Sequence, residues 1–297
     1  MRILASVGSN IPGAEAVDIR SSCEAHAALW EVLADSAAKE WQVSLFADSF
    51  PLLVVIEEAA DSQFDLLMQA FREGKELPAS GAAIARRGTK FHGHHGRPWV
   101  AEQGNIHLTA WFSTALPLVE YQAALTMLPA LAAWSAIKRC CPNAQPSIKW
   151  VNDILLEEKK VSGVITSTQS RGGIAERVVY GIGLNVAKAP PAAPTSYVPE
   201  TGCLAEYGQP DMWPVLDVLL AELARWHQVL LDEGPSAIYQ PYAAQSLIVG
   251  REVCVMNDPG DDTVIADGVV QAVNADLSLS IDGYDAPIRT GRVRLVH

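Results

Sequence analysis

The sequence predicts an α+β protein with a mixed or antiparallel sheet and a small C-terminal β-barrel. One observation is a long apolar helix, followed by three short strand-like runs that charged or glycine turns connect. The second is a change of pattern after residue 245. From there on, short strand-like runs recur at a spacing of about ten residues, which is typical of a small barrel.

The first third of the chain predicts a helical extension and then the start of the sheet. Residues 1–48 are rich in alanine, with apolar residues at helical spacing at Ala27, Leu29, Trp30, Val32 and Leu33. A strand is expected at 51–57, and Asp61 or Ser62 is expected to cap the next helix. A polar, glycine-rich loop at 86–99 then leads into an alternating strand at 105–112.

The middle of the chain supplies the long helix and the strand-like runs. The helix is expected at about 121–140, the strands at 147–150, 161–166 and 178–184, and another helix at about 213–231. The four prolines between Ala187 and Gly202 predict an exposed loop. The C-terminal strands are expected at 252–256, 268–273, 277–281 and 292–296. The change of pattern therefore divides the chain into residues 1–48, 49–244 and 245–297.

Composition and charge limit the possible functions. The chain has 297 residues, of which 49% are hydrophobic, so it can bury a large core. Its 34 acidic and 22 basic residues give a net charge of −12, which argues against a nucleic-acid partner but is compatible with one bound nucleotide. The five scattered cysteines predict neither disulfides nor a zinc site, and a reducing cytoplasm fits them best. The longest apolar stretch is too short to span a membrane.

Three short motifs carry the chemical information. They are Lys149-Trp150-Val151-Asn152-Asp153, Lys160-Val161-Ser162-Gly163-Val164 and Gly181-Ile182-Gly183-Leu184-Asn185. Lysines, a carboxylate and amides on consecutive strands are suited to hold a triphosphate, a metal ion and a carboxylic acid together. The motifs therefore indicate acyl-adenylate chemistry. Taken alone, Lys160 could be a surface lysine, Asn152-Asp153 a turn and Trp99 a core residue.

The same motifs resemble those of the biotin protein ligases. That family has K-W-P-N-D, then K-[ILV]-[AGS]-G-[IV], then G-[IV]-G-[IL]-N, in this order. The segments 96–99 and 104–108 are similar to its G-R-x-W and G-N-L-x-L, and 249–253 resembles the start of its small SH3-like domain. The resemblance covers about residues 50–297. It implies an α+β catalytic domain, with helices packed on one side of a mixed sheet, followed by an SH3-like β-barrel.

The resemblance also implies roles for particular residues. Lys160 would contact the biotin carboxylate and the α-phosphate, and with Lys149 and Asp153 it forms the predicted catalytic set. Asp153 and Asn185 would bind Mg²⁺, while Asn152 and Asn185 would contact the triphosphate. Arg97 would hold phosphate and Trp99 would cover the adenine. The remaining predicted binding residues are Ser62, Gln63, His92, Gly93, His94 and Gly163.

The loop at 88–97 departs from the family pattern Q-x-x-G-R-G-R-x-G-R. Gly88 stands in place of the glutamine, and His92 and His94 stand in place of two arginines, whereas Gly93, Gly96 and Arg97 match. The nearest segment to the family's S-T-N element is Asp61-Ser62-Gln63. A transition-metal site at His92, His94 and His95 is a further possibility, since residues 92 and 94 share one side of an extended chain.

The implied activity is that of an ATP- and Mg²⁺-dependent ligase that forms biotinyl-5'-AMP and transfers biotin to a lysine of a biotin carboxyl carrier protein domain. A homodimer is compatible with this prediction, and neither nucleic acid nor a membrane is an expected partner. Two alternatives stay open. The altered loop could select lipoate or a medium-chain acid, or the chain could be a non-catalytic protein that binds nucleotide or biotin.

Overall fold

The computed structural model describes residues 2–6, 14–16, 24–34, 38–43, 50–191, 197, 200–209, 211–257 and 263–296. The helices in this part of the chain are α1 (Glu24–Leu33), α2 (Gln63–Arg72), α3 (Leu118–Cys140), α4 (Met212–Glu233) and α5 (Ser236–Ala244). The strands are β1 (Arg2–Ser6), β2 (Ala14–Ala16), β3 (Ala38–Val43), β4 (Leu52–Ile56), β5 (Ser80–Ala85), β6 (Ile106–Pro117), β7 (Pro146–Lys149), β8 (Asp153–Leu156), β9 (Lys159–Arg171), β10 (Ile174–Leu184), β11 (Glu200–Thr201), β12 (Glu252–Met256), β13 (Val264–Val273), β14 (Leu279–Ile281) and β15 (Arg292–Leu295).

A large mixed sheet forms the centre of the molecule, as predicted. Its strand order is β2-β3-β1-β4-β5-β6-β10-β9-β8-β7, with β11 paired to β9 off this path. Strand β4 is parallel to both β1 and β5, and the pairs from β5 through β6, β10, β9 and β8 to β7 are antiparallel. Short turns connect β7, β8, β9 and β10, so their motifs become neighbours in space.

Apolar side chains cover both faces of this sheet. Because successive strand residues point to opposite faces, Leu53 and Val55 of β4 join the core with α3, α4 and α5, whereas Leu52, Val54 and Ile56 join the core with α1 and α2. Helices α3, α4 and α5 thus form the main helical layer, while α1 and α2 pack over the N-terminal half of the other face. The helices therefore lie on both faces of the mixed sheet and not on the one side that the family resemblance implied. No helix in the described residues meets the length and hydropathy of a membrane span.

The C-terminal residues form a separate small antiparallel sheet with the order β14-β13-β12-β15. This sheet is consistent with the predicted SH3-like barrel. It contacts the large sheet through the turn after β7, where the Trp150 indole nitrogen donates to the carbonyl of Leu277 at 2.8 Å. The Tyr239 hydroxyl of α5 donates to the carbonyl of Val273 at 3.1 Å. The domain boundaries at 48 and 245 stay predictions.

The structure corrects the secondary structure expected for residues 1–48. The predicted helix is present as α1, but β1, β2 and β3 flank it and join the large sheet beside β4. The segment is therefore not a purely helical extension. Its alanine-rich composition favoured a helix, whereas pairing with β4, a contact with a distant part of the chain, decides the strand at residues 2–6.

The other expected elements are found with shifted ends, and four strands or helices had no prediction. One of them is β11, which lies in the segment predicted as an exposed loop. Ser62 rather than Asp61 caps α2, and its hydroxyl accepts from the amide of Asp65 at 3.4 Å. Strand β5 was missed because its sequence, Ser-Gly-Ala-Ala-Ile-Ala, lacks the usual β-branched pattern. Residues 82–85 are fully buried there, so packing determines the strand. Strand β8 and helix α5 were also not predicted. The proline-rich segment lies partly outside the described residues, and 187–191 has neither helix nor strand.

Helix α5 supports the turn that follows β7, and this contact can be tested. The hydroxyl of buried Tyr242 donates to the carbonyl of Val151 at 2.7 Å. We expect Tyr242→Phe to lower the free energy of unfolding by about 1–3 kcal/mol, because the hydrogen bond from a buried hydroxyl to the carbonyl of Val151 is lost. Urea denaturation measures the loss. Tyr239→Phe is the control, since Tyr239 is half-buried and water can replace its hydroxyl. Equal losses in the two variants would contradict this assignment.

Candidate active site

A cleft of about 1060 Å³ contains every residue of the predicted site. Its walls come from the loop at 91–100, the first turns of α2 and α3, the strands β9 and β10, and the C-terminal sheet. The predicted residues that line it are Ser62, Gln63, His92, Gly93, His94, Arg97, Trp99, Lys149, Asn152, Asp153, Lys160, Gly163 and Asn185. Their contacts with ligands stay predictions.

Strand register places one row of residues across the floor of the cleft. Lys149 of β7 is opposite Asp153 of β8, which is opposite Gly163 of β9; Gly163 is opposite Gly183 of β10, which is opposite His107 of β6. Directly opposite residues in antiparallel strands share a face. This cross-strand row, Lys149-Asp153-Gly163-Gly183-His107, therefore brings parts of all three motifs onto one surface.

Lys160 reaches the same surface because β9 contains a bulge. Ile154 pairs with Ser162 and Leu155 pairs with Lys160, so Val161 is the extra residue. Lys160 and Gly163, three positions apart, consequently both line the cleft. The Lys160 ammonium lies 2.6 Å from a carboxylate oxygen of Asp153, and 21% and 17% of the two side chains are exposed. The ammonium also lies 5.8 Å from the centre of the Trp99 ring.

Lys149 is the most deeply buried cation of the cleft. Only 5% of the residue is exposed, and its ammonium donates to the carbonyl of Tyr197. Burial lowers the pKa of Lys149 to about 8, Asp153 opposes this effect, and the positive charges of Arg292, Lys160 and Arg97 add to it. Lys149 therefore changes its charge close to neutral pH, unlike an ordinary lysine.

Trp99 lies against the two glycines of the cross-strand row. A Cβ added at Gly183 would overlap its indole, and one added at Gly163 would lie 3.4 Å from it. The indole nitrogen donates to Nδ1 of His107 at 3.2 Å, while Nε2 of His107 lies 3.2 Å from the carbonyl of Glu102. Burial lowers the pKa of His107 to about 4, so its ring is neutral and can accept from Trp99. His107, which had no predicted role, thereby orients the indole.

The side chains of Asn152 and Asn185 differ in their hydrogen bonds. Asn152 donates to the carbonyl of Val164 at 2.7 Å, so its side chain also stabilises the turn, as the alternative interpretation of Asn152-Asp153 requires. Asn185 is 1% exposed, and its side-chain nitrogen donates to the carbonyl of Gly202 at 3.0 Å. Its side-chain oxygen accepts no hydrogen bond from the described residues. This oxygen is thus a candidate ligand for a cation.

The histidine loop, residues 91–97, lines the cleft with side chains that are half-buried or exposed. Nε2 of His92 is 2.7 Å from a carboxylate oxygen of Asp65, and its Nδ1 is 3.1 Å from the carbonyl of Gly93. Arg97 donates through Nε to the carbonyl of His94 at 2.9 Å. Within the described residues, no three His, Cys, Asp or Glu side chains are arranged to hold a metal ion. The transition-metal alternative therefore gains no support.

The C-terminal sheet supplies cleft residues that had no predicted role. They include Asp276, Leu277, Arg289 and Arg292. Hydrogen bonds from Ser278 and the ion pair with Arg289 lower the pKa of Asp276 to about 2. No sequence signal links these positions to the three motifs, which lie far earlier in the chain, because docking of the small sheet creates the proximity.

The described chain has the fold of a biotin protein ligase. It superimposes on the biotin protein ligase of Aquifex aeolicus in complex with biotin and ATP with a TM-score of 0.64 at 21% identity, over 83% of this chain and 99% of that one. At this identity the likeness shows the fold alone. Residues 59–185 match the model of the biotin/lipoate A/B protein ligase family.

Curated relatives agree with this match. The biotin--[acetyl-CoA-carboxylase] ligase of Paracoccus denitrificans is 29% identical over 210 residues, which are 68% of this chain and 85% of the relative. The enzyme of the same name from Mycobacterium tuberculosis is 27% identical over 254 residues, 81% of this chain and 88% of the relative. The chain is thus similar to biotin ligases over most of its length, and the family model matches its central part.

The contact between Trp99 and the glycine pair can be tested by adding a methyl group. We expect Gly183→Ala to lower the free energy of unfolding by about 1–3 kcal/mol, because the indole must leave its position. Gly163→Ala is the matched control on the opposite strand, since its new Cβ would lie 3.2 Å from the flexible end of Lys160. Urea denaturation of both variants measures the difference. If Gly163→Ala lowered the free energy of unfolding as much as Gly183→Ala, the position of the Trp99 indole against Gly183 would be contradicted.

Proposed function

We propose that this protein is an ATP-dependent ligase that activates biotin as biotinyl-5'-AMP and then transfers biotin to a lysine of a biotin carboxyl carrier protein. The observation that carries the proposal is the Lys160–Asp153 ion pair, which lies in the same cleft as Lys149. The names of the curated relatives support biotin as the acid.

The first step joins two anionic reactants. A carboxylate oxygen of biotin attacks the α-phosphorus of ATP, the bond from this phosphorus to the bridging oxygen breaks, and pyrophosphate leaves with the electron pair. Lys160 and Lys149 offset the negative charge that gathers at the phosphorus, and the rigid strands hold both reactants in line. No covalent bond to the protein is required.

The second step releases AMP. The uncharged amine of the carrier lysine attacks the acyl carbon of the mixed anhydride, the bond to the phosphate oxygen breaks, and the amine loses a proton as the amide forms. Here the protein positions the anhydride and stabilises the AMP that leaves. Lys160 is suited to both steps because its ammonium stays beside the phosphate throughout.

ATP is proposed to bind in the part of the cleft that Trp99 and Arg97 line. The Trp99 indole gives a flat surface for adenine, and Arg97 can contact phosphate. Asp153 and Asn185 would hold Mg²⁺, since one is a carboxylate and the other has a buried oxygen that accepts no hydrogen bond from the described residues. When bound, Mg²⁺ neutralises part of the triphosphate charge. Ser62, Gln63, Gly93 and the histidines would contact the acid.

The identity of the acid needs a direct test, because the loop at 88–97 departs from the family pattern. A thermal-shift comparison of biotin, lipoate and octanoate, each with ATP, should give the largest stabilisation with biotin. A larger increase in melting temperature with lipoate or octanoate would show that this acid, rather than biotin, is the substrate.

The homodimer and the cytoplasmic location stay predictions. The predicted location agrees with the free thiols of Cys140, Cys141, Cys203 and Cys254.

Removal of the Lys160 ammonium should abolish most of the activity. We expect Lys160→Ala to slow biotin-dependent pyrophosphate release by about 100-fold or more, since a charge at the reacting phosphate is lost. Lys159→Ala is the control. The Lys159 ammonium pairs with Glu206 at 2.9 Å, and Lys159 does not line the cleft. Turnover by Lys160→Ala equal to that of the unmodified protein would contradict the mechanism, and no release by the unmodified protein would favour a non-catalytic binder.

The lowered pKa of Lys149 predicts that ATP binding depends on pH. Lys149 is protonated below about pH 8 and loses its charge above it. We expect the Kd for ATP to rise by up to about tenfold between pH 7 and pH 9. Isothermal titration calorimetry measures it. Lys149→Arg should flatten the dependence, because a guanidinium stays charged over this range. The same slope in both proteins would exclude Lys149 as its source.

A further inference from the structure

A series of ion pairs connects the segment after β4 with the segment after β5. Glu57 pairs with Arg86 at 3.2 Å, Glu58 with Arg87 at 2.8 Å, Asp61 with Lys90 at 2.7 Å and Asp65 with His92 at 2.7 Å. The ordinary pKa values of lysine and arginine lie well above the physiological pH range, whereas that of histidine lies close to it. His92 is also the cation of the series that lines the cleft.

Both ring nitrogens of His92 face groups that accept hydrogen bonds. Nε2 lies 2.7 Å from a carboxylate oxygen of Asp65, and Nδ1 lies 3.1 Å from the carbonyl oxygen of Gly93. A carbonyl and an ionised carboxylate donate nothing. A neutral imidazole has one donor and one acceptor, so it satisfies one of these contacts, whereas the imidazolium satisfies both. The short contact with Asp65 is typical of a charge-assisted hydrogen bond.

The electrostatic surroundings act in the same direction. Partial burial lowers the pKa of His92, but the Gly93 carbonyl, the hydrogen bond to Asp65 and the charge of Asp65 together raise it above the ordinary value. The other charged or titratable groups nearby in sequence are Asp61 on the α2 side, and Lys90, His94, His95 and Arg97 on the loop. Asp61 already pairs with Lys90 at 2.7 Å.

We infer that Asp65 is a positioning residue that holds His92 as an imidazolium in the wall of the cleft, where this cation retains the acyl-adenylate. The inference rests on the proposed function for the identity of the ligand. The adenylate carries a negative phosphate, and a fixed cation in a partly water-excluded cleft attracts it more than a neutral ring does. Asp65 itself does not line the cleft, so it acts through His92.

The direction of the pH effect follows from the raised pKa. The His92–Asp65 pair is fully formed below the ordinary pKa of histidine, about 6.5. It weakens as pH rises through the higher value of the folded protein, because the ring then loses the proton that the pair shares. Retention of the adenylate should weaken over the same range.

Three variants isolate the contribution of Asp65. Asp65→Asn keeps the size of the side chain and removes its charge. Asp61→Asn makes the same change on the neighbouring pair with Lys90. His92→Gln identifies the His92 signal in NMR spectra of histidine-labelled protein. The titration of His92 without ligands should have its midpoint above 6.5 in the unmodified protein, at a lower pH in Asp65→Asn, and at an unchanged pH in Asp61→Asn.

Binding of chemically prepared biotinyl-5'-AMP supplies the second measurement. Asp65→Asn should bind it about fivefold more weakly at pH 7.5 and should approach the unmodified protein near pH 5.5, where both rings are protonated. Equal His92 titrations with and without the Asp65 charge would overturn the inference, as would a binding ratio that does not change with pH. If the unmodified protein fails to bind the adenylate at any pH, the proposed function fails, whereas the titration still decides whether Asp65 holds the imidazolium.

Discussion

The antiparallel register of five strands is the constraint on which the site depends. It aligns Lys149, Asp153, Gly163, Gly183 and His107 across one surface of the sheet. A shift of one residue in any pair would turn the following side chains toward the opposite face, into the core with α3. The bulge at Val161 adds Lys160 to this surface. Packing on the other face therefore maintains the geometry of the cleft.

The glycines of the row have a steric function that their motif does not reveal. Two opposite positions without side chains leave room for the Trp99 indole, and neutral His107 fixes the edge of that ring. The indole in turn lies near the Lys160 ammonium. An aromatic surface and a cation are thus arranged side by side, which suits a ligand with both a flat base and a phosphate.

The histidine loop shows that a residue type alone does not define a charge. An isolated imidazole is largely neutral at pH 7, so the sequence alone predicts that His92 is a poor replacement for an arginine. In the folded protein, a carboxylate and a carbonyl surround its ring, and these acceptors favour the protonated form. The first turn of α2, which Ser62 caps, places the carboxylate there.

Short-range patterns in the sequence determined much of this protein. The three motifs, the order of the central strands and long helices, and the C-terminal strands follow from periodicity and residue type, which act within a few neighbouring positions. The tertiary structure alone decided that residues 2–6 join the sheet, that β5 is a strand, that Arg289 and Asp276 reach the cleft, and that Asp65 pairs with His92. Each of these depends on contacts between segments that are distant in the sequence, where burial and strand register, rather than local preference, supply the free energy.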